Sequence, residues 1–319
     1  MMERRDFIKK AGQAAALAVA AGGIGYFFNK RETSRALKIQ RHTTNFRVLE
    51  NNQFPKVALA KNIDHTKALK SSLEAVGGIE RFIRPGERIT IKPNIGWDRA
   101  PEQAANTNPQ LVAAMVQLCL AAGASKVIVT DISCNDPRRC FFRSGIKEAA
   151  EKAGATVILP AETDFIDIDF QGDLLTVWPV LKPFIETDRF INMPIVKQHS
   201  LTGCTIGMKN LYGILGGRRN QLHQEIDRSI VDLVAFCRPT LTVIDATRIL
   251  THGGPQGGSL DDVITADTVI CATDPVAADS RAAEFLGLRG EQVGHIVLAE
   301  KRGLGAANYQ TAGYKEIGT

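Results

Sequence analysis

A chain of 319 residues with 44% hydrophobic and 23% charged side chains has ample material for a packed core, and this composition excludes disorder as the default state. The formal net charge is +5, but residues 1–30 hold five basic side chains against two acidic ones, so the remaining chain is close to balance. A basic excess that comes mostly from the leader argues against nucleic acid as a partner.

The leader itself reads as a targeting segment. Arg4-Arg5-Asp6-Phe7-Ile8-Lys9-Lys10 precedes an apolar run over residues 11–28, a charged region followed by a hydrophobic one. Paired arginines followed by Phe and Ile resemble the twin-arginine export signal, which implies the twin-arginine machinery as a partner and a periplasmic or otherwise extracytoplasmic mature domain. Two outcomes stay open. Ala18-Val19-Ala20 fits a small-x-small cleavage site, and the whole run is about long enough to stay as an N-terminal membrane anchor. Residues 31–54 are polar and irregular, and read as a linker before a single α/β domain over 55–319.

Within that domain strands and helices alternate. Val57–Ala60 reads as a strand, and Asp64 caps a helix to about Val76, stopped by Gly77-Gly78. Arg88–Ile91 is a strand ending in Lys92-Pro93-Asn94. Asn108-Pro109 opens a helix that Gly123 ends. Lys126–Thr130 is an apolar strand ending at Asp131, followed by one helix from about Pro137 to Ala153 and a strand over Thr156–Leu159. Residues 164–178, with Gly172-Asp173, suggest a hairpin insertion. Phe190–Val196 is a strand interrupted by Pro194 that leads to Lys197 and His199. Glu225–Cys237 is an amphipathic helix with Ile226, Ile230, Leu233, Val234 and Cys237 on one face. Leu241–Ile244 is a strand ending at Asp245, Val263–Ala272 holds one or two strands, Asp274-Pro275 opens a helix to about Leu286, and Glu291–Glu300 is the last helix. This alternation implies an α/β layer fold with a largely parallel twisted sheet. Runs such as Val127-Ile128-Val129 fit strands covered on both faces.

Chemistry-bearing residues gather where strands end: Lys92 and Asn94, then Asp131, then Lys197 and His199, then Asp245. Open α/β sheets bind ligands beyond the carboxyl ends of their strands. Any single Asp there is commonplace, but three lysines (92, 197 and 209) would make such a pocket cationic and suited to a small anion. The segment 202–217 adds five glycines, interleaved with Cys204, Lys209 and Asn210 and followed by His223. Glycine at that density marks unusual backbone angles or close approach to a ligand, and the apolar residues between them argue against a mobile surface loop. A second glycine-rich segment, 251–258, carries His252. No phosphate-binding loop or dinucleotide fingerprint occurs.

Of the six cysteines, Cys119, Cys237 and Cys271 sit in apolar contexts, where free thiols pack well. Cys134, Cys140 and Cys204 sit in loops or at helix starts. Their spacing matches no zinc or ferredoxin pattern. A disulfide between Cys134 and Cys140, free thiols, or a metal or iron–sulfur centre completed by His199 or His223 all remain open.

Several of these segments together resemble domain-of-unknown-function family 362: Lys92-Pro93-Asn94, Thr107-Asn108-Pro109, Gly207-Met208-Lys209-Asn210-Leu211-Tyr212-Gly213, Gly253-Gly254-Pro255 and Asp274-Pro275-Val276-Ala277-Ala278-Asp279, spread over about residues 57–288. Some members carry a ferredoxin-like iron–sulfur module, whose closely spaced cysteines this chain lacks. A fainter similarity is to nickel-dependent lactate racemase. It implies a cofactor-linked lysine at Lys209 and a nickel-binding histidine at His223.

Three readings follow. The first is an exported protein that binds, and as an enzyme acts on, a small anion. Lys92, Asn94, Asp131, Lys197, Asn210, Asp245 and His252 would bind it, with Lys209, His199 and His223 doing chemistry. The second is a metal or iron–sulfur redox protein using Cys134, Cys140 and Cys204. The third is a non-catalytic periplasmic binding or assembly factor.

Overall fold

The computed structural model describes residues 44–318. The twin-arginine motif and the apolar run at 11–28 lie outside the described residues. Fourteen strands are present among those described: β1 (Thr44–Asn45), β2 (Val57–Lys61), β3 (Arg88–Pro93), β4 (Lys126–Val129), β5 (Thr156–Val157), β6 (Phe165–Asp169), β7 (Val177–Leu181), β8 (Arg189–Met193), β9 (Ile195–His199), β10 (Gly203–Thr205), β11 (Cys237–Arg238), β12 (Leu241–Leu250), β13 (Val263–Ala272) and β14 (Tyr314–Gly318). Ten of them form one sheet in the order β14-β2-β13-β12-β8-β3-β4-β5, with β9 also on β12 and β10 on β9. Along that path β13 alone runs against its neighbours, so the sheet is mixed and mostly parallel.

Adjacent residues divide between the two faces, as the two-residue period of a strand requires. Val243 and Ile244 of β12 belong to different apolar clusters, as do Val269 and Ile270 of β13. One cluster takes in the helices Ile226–Phe236, Pro275–Ala283 and Gly294–Lys301; the other takes in His65–Ala75, Pro109–Ala121 and Ile146–Lys152. Helix starts follow their side-chain caps. Asp64 accepts from Thr66 and Lys67 N–H, Asn108 from Gln110, and Asp274 from Val276 and Ala277, the last two with proline at the first helical position.

The departures from expectation have local causes. The helix expected over 137–153 is two, Pro137–Arg143 and Ile146–Lys152, broken where Gly145 takes φ +72°. β12 does not end at Asp245 but continues to Leu250, with a register shift between Ala246 and Arg248. Pro194 separates β8 from β9. The insertion near 164–178 is the β6–β7 hairpin, which pairs Phe165–Asp169 with Val177–Leu181 as a separate antiparallel ribbon. Part of the segment expected to be a linker is also anchored: β1 pairs with β11, and Phe46 packs edge-on against Phe190 at 5.9 Å.

Candidate functional site

The glycine-rich segment is not a loop. After β10 it forms a short helix, Gly207–Asn210, and a 3-10 turn, Leu211–Ile214, all buried. Asp279, inside the helix Pro275–Ala283, turns inward and accepts from Gly207 N (2.8 Å) and Met208 N (2.9 Å). A Cβ at residue 207 would lie 2.7 Å from Asp279 Oδ1, so glycine is needed for that approach. Asp279 thereby fixes the first turn that delivers Lys209 and Asn210. Burial raises its carboxyl to about 7, and the two N–H donors hold it from rising further.

The delivered residues face the carboxyl edge of the sheet across a cavity of ≈ 280 Å³. Lys92, at the end of β3, pairs with Asp131, two residues beyond β4, at 2.7 Å, both side chains almost wholly buried. Asp131 Oδ2 also accepts from Ile95 N at 2.7 Å. Gly213 lies over this ion pair so closely that a Cβ there would overlap Asp131 Oδ1 and Lys92 Nζ. Burial lowers the Lys92 pKa, and Asp131 opposes that shift.

Lys197 comes from β9 and donates to Asn94 Oδ1 (3.1 Å) and Ala105 O (2.5 Å). Side-chain amides then continue the network. Asn94 Nδ2 donates to Asn210 Oδ1 (2.9 Å), Asn210 Nδ2 to Asn192 Oδ1 (2.8 Å), and Asn192 Nδ2 to Gly207 O (2.8 Å). Three asparagines so linked tie β3, β8 and the short helix together and orient the amides around the lysines. Burial brings Lys197 down to about 7.

Lys209 differs from both. It is 8% exposed, and among the described residues its Nζ has no hydrogen-bond acceptor; it sits over the Tyr212 ring, 4.0 Å from the centroid. Burial brings it to about 8. Tyr212 also stacks on His223, with ring centroids 5.7 Å apart, and its hydroxyl bonds to Ser229 Oγ. Arg219 braces the mouth by donating to Tyr212 O (3.0 Å), Ile132 O (2.7 Å) and Ser133 O (3.1 Å), with Cys134 Sγ at 3.7 Å.

The two histidines of the cavity take opposite tautomers. Leu201 N–H donates to His199 Nδ1 (3.1 Å), so the neutral ring carries its proton on Nε2. Burial lowers His199 to about 3, which keeps it neutral. His223 Nδ1 faces Asn220 O at 3.2 Å; a carbonyl only accepts, so that nitrogen is the donor and Nε2 keeps its lone pair. Burial lowers its pKa too, with Lys209 adding to the effect. The pair offers one N–H donor and one base.

Eight of the ten residues expected to bind or act on an anion therefore line one cavity: Lys92, Asn94, Asp131, Lys197, His199, Lys209, Asn210 and His223. Asp245 and His252 do not. Asp245 is buried behind it, where it accepts from Asn108 N and from the Thr247 amide and hydroxyl, and so locks the Pro109–Ala121 helix to β12. His252 is exposed and bonds to Thr251. Tyr212 and Arg219 were not singled out by the strand-end argument. Tyr212 is itself part of the Lys209-Asn210-Leu211-Tyr212-Gly213 run, and the Arg218-Arg219 pair that follows Gly216-Gly217 was the available signal for the other.

The cysteine centre is not assembled. Cys134 lines the cavity mouth, Cys140 is buried against Gly96 O, and Cys204 is packed in the apolar core; all six cysteines are free thiols, so Cys134 and Cys140 are not bridged. Burial raises the thiol pKa of Cys140 and Cys204, which opposes the thiolate that a metal needs. Among the described residues no three His, Cys, Asp or Glu side chains are placed to hold a metal ion. The expected iron–sulfur centre on the three thiols is therefore not assembled, whereas Lys209 and His223, the pair implied by the racemase resemblance, both line the cavity and pack on Tyr212.

Fold and site together define an α/β protein with a cationic cavity at the carboxyl edge of a mostly parallel sheet. The chain belongs to the DUF362 family, a domain of unknown function, which matches residues 89–284. It is 26% identical to the thylakoid-associated protein of Synechocystis sp., with 74% of each chain covered. Among solved structures it is similar to the lactate racemase apoprotein of Thermoanaerobacterium thermosaccharolyticum, with a TM-score of 0.44, 11% identity and coverage of 77% of this chain and 61% of that one. A protein from Thermotoga maritima gives a TM-score of 0.38 at 12% identity, over 74% of this chain and 58% of the other. The chain thus spans less than two thirds of either structure, and a likeness at this level transfers neither ligand nor reaction.

Proposed function

We propose that this protein binds a small anion in the cavity and acts on it by proton transfer, with His223 as the base and neutral His199 as a hydrogen-bond donor. One observation carries the reading. Among the described residues Lys92, Lys197, Lys209 and Arg219 line the cavity against a single carboxylate, Asp131, which is already paired with Lys92. Burying amines without a counter-charge is costly, and an incoming carboxylate or phosphate offsets that cost. The leader residues Arg4-Arg5 support a further part of the proposal: the twin-arginine route delivers the domain to the extracytoplasmic side, where residues 11–28 tether it if uncleaved.

The test is calorimetric titration with acetate and with inorganic phosphate. At least one should bind the wild type, and Lys197→Met should weaken it about tenfold, the loss of roughly 1.4 kcal/mol. Affinity should fall as pH rises through 7 to 8, because Lys197 and Lys209 lose their protons there in the free protein. A wild type that binds neither anion at pH 6.5 removes the reading.

A further inference from the structure

The three cavity lysines are not equivalent, and the difference points beyond anion binding. Lys92 holds its charge against Asp131 at 2.7 Å. Lys197 has given two of its three donor positions to Asn94 and Ala105. Among the described residues Lys209 has neither an ion-pair partner nor an acceptor, although more than nine-tenths of it is buried, and it lines the cavity. An amine that serves only to hold charge is normally met by acceptors; an amine left bare in an enclosed site is placed to use its lone pair.

We propose that Lys209 is a nucleophile that forms an imine with a small 2-oxo acid. This rests on reading the cavity as an anion site and names the substrate class that the site takes. The carboxylate of such an acid meets the remaining Lys197 donor and the positive charge of Arg219, and its carbonyl carbon is left for Lys209. A volume of ≈ 280 Å³ suits a ligand of this size and lies just below the range of about 300–1,000 Å³ that holds drug-sized molecules.

The step balances within the site. The Lys209 Nζ lone pair adds to the carbonyl carbon, forming the C–N bond and leaving an alkoxide. His223 Nε2 takes one proton from the nitrogen and the imidazolium so formed gives it to the alkoxide, leaving the neutral carbinolamine. The nitrogen's second proton follows the same route to the hydroxyl, which departs as one water as the C=N bond forms. No oxidant, reductant or metal is consumed. Tyr212 organises the step, since Lys209 and His223 both pack on its ring. The burial that brings Lys209 to about 8 also leaves a usable neutral fraction near neutral pH.

The experiment is reductive trapping. The exported protein is incubated with pyruvate or glyoxylate, treated with sodium borohydride, and mapped by mass spectrometry of its peptides. The expected result is one reduced adduct, confined to the peptide that carries Lys209, formed only when probe and borohydride are both present and suppressed by excess acetate. Lys209→Arg, which keeps the charge, should lose the adduct, and Lys147→Arg, on the helix Ile146–Lys152 and outside the cavity, should keep it. No adduct with either probe, or adducts spread over surface lysines with Lys209 unmodified, overturns the imine. If acetate still binds in that case, the anion reading stands and the imine alone has failed. If acetate and phosphate both fail to bind the wild type, the underlying reading has failed first.

Discussion

Buried charge occurs in two settings in this protein, and they are built differently. Behind the cavity, carboxylates are fully engaged by the chain itself. Asp245 accepts three hydrogen bonds, Asp274 accepts from Val276, Ala277 and Ala306, and Asp279 accepts from Gly207 and Met208. In the cavity, among the described residues, Lys209 meets no acceptor and Lys197 meets two neutral ones. A buried charge that the fold satisfies is part of the architecture, whereas one left unsatisfied reserves room for something that is not part of the chain. The supporting layer should therefore lose stability when altered, and the cavity should lose function.

The largest loss of stability is expected from Asp279→Ala. It orphans two buried N–H groups and frees the turn that carries Lys209, at a cost of about 3 kcal/mol. Urea unfolding should show the shift, and acetate binding should weaken with it because the loss propagates to the cavity. Asp279→Asn keeps one acceptor oxygen and should lose less. A wild-type midpoint for Asp279→Ala would end the distinction between the two settings. Next in size is Gly213→Ala, whose Cβ has no room beside Lys92 and Asp131. Displacing the chain from that ion pair should cost on the order of 1–3 kcal/mol, read from the same unfolding curves. An unchanged midpoint there would mean that Gly213 is retained for some other reason.

The same contrast explains what could be read from the sequence. Architecture with a local signal was legible. Asp64, Asn108 and Asp274 announce their helices, and the apolar run at Val127–Val129 announces a covered strand. The clustering of Lys92, Lys197 and His199 followed from the rule that parallel strands deliver their ends to one edge. Failures arose where a distant partner decides the outcome. Asp245 looks like another strand-end ligand, and only its contact with Asn108, 137 residues away, shows it to be structural. Cys204 looks like a loop thiol, but it lies in β10, which pairs with β9 and sets it in the apolar core. Tyr212 looks like core, which it is, and nothing local shows that its ring also carries Lys209 and His223. His252 looks like a site residue because of its neighbouring glycines, but these dock the segment, Gly254 donating to Gln198 Oε1 and Gly257 lying against Leu250, while His252 itself is exposed.

The smallest effect on stability should come from the residue with the largest effect on function. Lys209→Met keeps the length and apolar contact of the side chain while removing the unpartnered amine. Burial lowers Lys209 from 10.5 to about 8, so between those values the unfolded chain holds a proton that the folded protein does not. Stability from this group therefore rises with pH across that window, and its penalty is largest below about 8. Removing the amine removes the penalty but also the contact of its charge with Tyr212, worth roughly 0.5–2 kcal/mol. The contact offsets only part of the penalty. Lys209→Met should match or exceed the wild type at pH 7. That advantage should shrink by pH 10, where the folded wild type carries no charge at this position. Thermal unfolding at the two pH values gives the comparison, and the same samples should show no borohydride-trapped adduct. A variant that melts well below the wild type at pH 7 would place Lys209 with the structural carboxylates and dissolve the contrast on which the cavity assignment rests.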